Sequence, residues 1–150
     1  MGSREDIARL LKEAADSMKR DVKGAIAKLE SAYTIAQGTG VPDDAAVVAE
    51  ELAKGWARRR KAARALYFAR KATKLSPEQR SPWTTLAKTC ELVASRIQDE
   101  RKQRRKLALY RDTARAFKKA ASMTKDPEDK AWLMDLARDA ARRAKPPEGA

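Results

Sequence analysis

An all-α fold of seven helices is predicted by three observations. The chain is rich in alanine, the best helix former, at about every fifth position, while its hydrophobic fraction is an ordinary 43% and aromatics make up only 5%. Glycine and proline number six each, too few for a succession of short strands and turns. Apolar residues recur at i, i+3, i+4 and i+7, and one such stripe repeats after 34 residues: Ala49, Leu52, Ala53 and Trp56 map onto Trp83, Leu86, Ala87 and Cys90.

The elements follow in order. Ser3, with Asp6 three residues later, resembles a capping box opening a first helix over 4–18, whose stripe is Ile7, Leu10, Leu11 and Ala14. A second helix over 21–36 carries Ala25, Leu29, Ala32 and Ile35, and the breakers between Gln37 and Asp43 form the clearest loop. The third helix, 44–59, holds the first copy of the repeated stripe; the fourth, 61–75, holds Ala65, Ala69, Ala72 and Leu75, and Ser76-Pro77 after it either caps a short turn or simply ends it. Ser81-Pro82 is expected to cap a fifth helix over 82–102. A sixth, 104–124, carries Thr113, Phe117, Ala120 and Met123. Asp126-Pro127 caps a seventh over 127–144, with Trp132, Leu133, Leu136 and Ala140 as its buried stripe. One domain over 1–145 is expected, followed by a frayed tail at 146–150.

The large–small–aromatic trio Leu52, Ala53 and Trp56, followed by Ala65, Ala69, Ala72, Leu75 and Pro77, resembles a tetratricopeptide repeat, a helix pair with a 34-residue period. Trp83, Leu86 and Ala87 begin a similar repeat, and Ala25, Leu29, Ala32 and Ile35 fit the second helix of an earlier one. The resemblance implies a right-handed α-solenoid of three helical hairpins, with the seventh helix covering the last apolar face. In the third hairpin the second-helix stripe lies 48 residues after its counterpart. The expectation is therefore about seven extra residues in each helix, a protrusion of roughly 10 Å.

The residue inventory argues against an enzyme. Histidine is absent, which removes the commonest general base and transition-metal ligand. There is no glycine-rich phosphate loop, paired-cysteine spacing or nucleophile elbow, so no metal or cofactor is expected. Acidic pairs such as Asp43–Asp44 and Asp99–Glu100 suit capping or solvated roles. The single cysteine, Cys90, lies on an apolar stripe and suits a reducing compartment. With no run of 18 apolar residues and no leader pattern at the start, an intracellular, cytoplasmic protein without membrane insertion is expected.

The net charge of +13 is uneven. Residues 1–50 carry 7 basic and 9 acidic side chains, residues 51–100 carry 12 and 5, and residues 101–150 carry 15 and 7. The cations cluster where each hairpin is expected to turn: Lys19, Arg20 and Lys23; then Arg58, Arg59, Arg60, Lys61 and Arg64; then Arg101, Lys102, Arg104, Arg105 and Lys106. Stacking would align these clusters as one continuous basic rim, with the last two as its partner-binding residues. Cations suit the end of a first helix, but Lys61, Arg64 and Lys106 open second helices, where the dipole disfavours them.

The expected function is a non-catalytic protein-interaction or scaffold module. It would bind an acidic protein or peptide segment through this rim and through a concave groove bearing Lys54, Thr84, Lys88 and Glu91, with Glu50 and Arg58 beside them. Lys54 and Lys88 stand where the resemblance would require asparagines for a carboxylate clamp. The alternative is a nucleic-acid-binding helical protein whose rim contacts the phosphate backbone. Base-stacking aromatics are missing from the rim; only Tyr67 and Tyr110 have an unassigned facing.

Overall fold

The computed structural model describes residues 2–146, and among them it contains seven α-helices, one turn of 3-10 helix and no strand. In order these are α1 (Ser3–Ser17), α2 (Val22–Gly38), α3 (Pro42–Arg58), α4 (Ala62–Leu75), α5 (Arg80–Ser95), the 3-10 turn (Glu100–Lys102), α6 (Gln103–Ser122) and α7 (Pro127–Arg143). The chain divides after Pro77 into two units, α1–α4 and α5–α7. No described helix is long and apolar enough to cross a membrane. Of the expected tail only Pro146 falls within the described residues.

In the first unit each helix packs on the next. Leu29, Val48 and Leu52 are fully buried among Ala25, Ala32, Ala45 and Ala65, and the small side chains allow close helix approach. At one end Arg4 of α1 pairs with Asp44 of α3 at 3.0 Å, and the buried Ser76 hydroxyl after α4 donates to the Asp43 carboxylate. At the other end Gly55 of α3 faces Ile26 and Met18. These contacts make α1 and α3 parallel and α4 antiparallel to them. Asp43 and Asp44 thus tie neighbouring helices to the start of α3.

Gly55 is required by close approach, because a Cβ there would lie 2.9 Å from Ile26 Cγ1, inside contact distance. Gly40 adopts φ +71 in the short Thr39–Val41 connection, which is tighter than the loop expected from sequence.

In the second unit α6 packs against both α5 and α7. Phe117, Ala116, Ala120, Leu133 and Ala137 form its core with Ala87. Trp132 departs from expectation: the buried residues of α7 are Leu133, Ala137 and Ala140, and Trp132 is 55% exposed. One residue is a 100° rotation on a helix, enough to carry the indole off the packed face.

The third hairpin is also built differently. The helix expected over 82–102 ends at Ser95, and the insertion is unequal. Relative to α3 and α4, α5 gains three residues beyond its stripe, the connection gains four, and α6 gains seven before Thr113. Two whole turns were therefore added to the second helix only.

Helix starts follow the sequence in part. Asp126 caps α7 by accepting from the Asp129 N–H at 3.1 Å, with Pro127 at the first position, and Asp21 caps α2 through the Gly24 N–H at 3.0 Å. Ser3 and Ser81 are not caps: α1 is preceded by Gly2 and α5 by Gln79, neither with a side-chain cap, and Pro82 is buried inside the first turn.

Candidate interaction site at the α3–α4 corner

The connection between α3 and α4 is three residues, Arg59, Arg60 and Lys61. It closes through two backbone bonds, Lys61 N–H to the Trp56 carbonyl and Arg60 N–H to the Ala57 carbonyl, each 3.0 Å. This helix terminator needs a left-handed residue at its next-to-last position, a place that favours glycine. Arginine occupies it instead: Arg60 has φ +58, the only positive φ of a non-glycine residue among those described.

The corner then opens α4 against the usual electrostatic preference. Lys61 precedes the helix and supplies no side-chain cap, and the first turn has no acidic residue. The free N–H groups and dipole of α4 add to the positive potential of the side chains. Arg58, Arg60, Lys61 and Arg64 are exposed and Arg59 is half-buried. Among the described residues none of the five has a carboxylate within ion-pairing distance.

Trp56 anchors the corner from inside. The Arg64 guanidinium lies 4.5 Å from its ring centroid, a cation–π contact that leaves the edge donors of the guanidinium available. The ring is buried, and its Nε1 has no hydrogen-bond acceptor among the described residues. Met18 Cε lies 3.5 Å from where a Gly55 Cβ would sit, so Lys19 and Arg20, in the α1–α2 turn, share this end of the unit.

The second cluster is partly consumed by its own connection. Asp99 accepts the Arg101 N–H at 3.0 Å and pairs with its guanidinium at 3.3 Å. The side-chain bond to Arg101, then the backbone bond, hold the Asp99 carboxyl below the usual carboxylate range. Lys106 Nζ donates to the Ile97 carbonyl at 3.1 Å and so serves the connection after α5. Lys102, Arg104 and Arg105 are exposed. The two clusters belong to different units.

The groove residues are likewise divided. In the first unit Lys54 is exposed and pairs with Glu51 at 3.0 Å, whereas Glu50 is buried, not presented to a groove. In the second, Lys88 is exposed, Glu91 is half-buried, and the Thr84 hydroxyl donates to the Arg80 carbonyl at 3.3 Å. The structure adds a shallow groove between α1 and α3, lined by Ile7, Leu11 and the half-exposed Val47 and bounded by the Arg4–Asp44 pair. Sequence reasoning missed it because Val47 lies off the repeated stripe.

The tyrosines separate. Tyr110 is buried in α6, where Arg143 lies 5.9 Å from its ring centroid. Tyr67 stands 53% exposed on α4, with Phe68 edge-on at 5.0 Å and Tyr33 of α2 against Phe68 at 5.6 Å. Burial first, and then the nearby Tyr67, raise the Tyr33 hydroxyl above its ordinary range. Among the described residues no group of three histidine, cysteine or acidic side chains could hold a metal ion. No protein-family model matches the chain, and no curated protein matches it.

Proposed function

We propose that the protein is a tetratricopeptide-like helical repeat, a right-handed superhelix of three hairpins with α7 as its cap. It acts as a non-catalytic interaction or scaffold module that docks an acidic protein segment at the α3–α4 corner. The observation that carries this reading is the set of five cations around an uncapped helix start, none with a carboxylate partner among the described residues. A surface so built attracts carboxylates over several ångströms and accelerates their encounter. Four of the five side chains are arginines, whose planar forks match carboxylates in pairs. In the other unit Lys102, Arg104 and Arg105 form a further exposed basic cluster.

A fluorescein-labelled polyglutamate peptide tests the reading. It should bind at low salt, and replacing Arg58, Arg59 and Arg60 together by glutamate should weaken binding roughly 10- to 100-fold. Unchanged affinity in that variant, with its helicity intact, would remove the corner as the docking site.

A further inference from the structure

The basic character of the first unit does not stop at the corner. From Leu52 to Pro77 the chain holds nine lysines and arginines and no aspartate or glutamate. On α4 the buried residues Ala65, Leu66, Ala69, Ala72 and Thr73 set the inward face. That phase turns Tyr67 outward, and three of its helical neighbours at three- and four-residue spacing are Arg64, Arg70 and Lys71. Lys74 is exposed one turn further on. These cations extend along about 15 Å of helix surface.

Tyr67 is a supported platform and not a loose side chain. Phe68 meets it at an interplanar angle of 67°, and Tyr33 meets Phe68 at 86°, so an aromatic row across α2 and α4 fixes the outermost ring. A single exposed aromatic is ordinary on a protein surface. An exposed, buttressed ring among cations on a helix without a carboxylate is a different object, because it offers a flat apolar face and several phosphate ligands together.

We propose that the outer face of α4 binds single-stranded nucleic acid. One base stacks on Tyr67, and the phosphates beside it lie on Arg64, Lys71 and Lys74. The choice of partner follows from the ring. An acidic peptide satisfies the cations but has no recurring planar group for Tyr67, and a duplex keeps its bases stacked inside. Only an unpaired strand presents a π-face and a phosphate at every residue, so its recognition here is tolerant of sequence. This face adds a second ligand to the acidic segment proposed for the corner.

The test uses the full chain and a fluorescein-labelled 20-mer of oligouridylate, read by anisotropy. Binding should weaken linearly with log salt, with a slope of about −2 for three phosphate contacts. Tyr67→Ser should bind about 5- to 100-fold more weakly, from the loss of one stacked base. Tyr67→Phe, which keeps the ring and guards against a folding artefact, should bind within about twofold of wild type. Lys71→Glu with Lys74→Glu should flatten the salt slope by roughly 1.4. Tyr67→Ser should leave polyglutamate binding unchanged, which keeps this proposal separable from the corner reading. The proposal is overturned if oligouridylate is not retained at low salt, if duplex RNA of the same length binds as tightly, or if the helical Tyr67→Ser variant binds it like wild type.

Discussion

The α3–α4 corner and the α5–α6 connection carry nearly the same sequence chemistry, five cations each within a few residues, yet they use it in opposite ways. In the connection, Arg101 is tied to Asp99 and Lys106 to the Ile97 carbonyl, so charge serves to close the turn. At the corner the turn closes through backbone bonds to Trp56 and Ala57, and none of the five cations pairs with a carboxylate among the described residues. The difference lies in length. Three residues allow only a backbone terminator, whereas seven provide room for Asp99 and a 3-10 turn. A basic run is therefore a candidate binding surface only where the local fold has no use for its charges.

The largest test of this contrast concerns what lies beneath the corner. Gly55→Ala should destabilise the protein by about 1–3 kcal/mol, because the added methyl meets the buried Ile26 side chain and outweighs the gain in helix propensity. Urea denaturation would measure it, and a stabilised variant would show that α2 can retreat without cost. The connection should respond to Lys106→Met with a loss of about 0.5–1.5 kcal/mol, from the hydrogen bond to Ile97. Arg58→Met, its counterpart at the corner, should stay within about 0.5 kcal/mol of wild type. Equal losses in the two variants would erase the distinction between consumed and available cations.

Arg60→Gly sharpens the comparison in the other direction. Relief of the left-handed arginine should stabilise the fold by about 0.5–1 kcal/mol in thermal unfolding, while polyglutamate binding declines. A residue retained at a cost in stability and with a gain in affinity would mark the corner as a site; a gain in both would mark it as an ordinary turn.

The smallest effect is the pH dependence of the connection. The folded carboxyl of Asp99 titrates below its ordinary value, so its contribution is fully present above the usual carboxylate range and is lost as the pH falls through the depressed folded value. An NMR titration should show the Arg101 amide moving with Asp99 in that acid window, with no such transition at the Lys61 amide, whose acceptor is a backbone carbonyl.

Much of the architecture was legible because helices announce their faces and their starts. The inward stripes of α2, α3, α4 and α6, the Asp126-Pro127 start and the breakers after α2 all appear where local chemistry puts them. The end of α5 was not legible, since Arg96, Ile97 and Gln98 include no breaker and a helical period can run through them. Asp99, a capping residue ahead of Glu100, was the available signal. Trp132 was misplaced for a related reason: hydrophobicity shows that a residue prefers burial, but only the phase fixed by Leu133, Ala137 and Ala140 shows which side chain obtains it. The facing of Tyr67 could have been read from that same logic, two residues from Ala65 and two from Ala69.

By itself the sequence determined that the chain is helical, which faces turn inward and that its charge is concentrated after residue 50. These depend on interactions within a few residues of each other along one helix, and periodicity records them directly. The tertiary structure decided which cations are spent on their own backbone or carboxylates and which remain for a partner. That outcome depends on distances of 3 to 4 Å across turns, where a change of four residues in a connection converts a free guanidinium into a structural one.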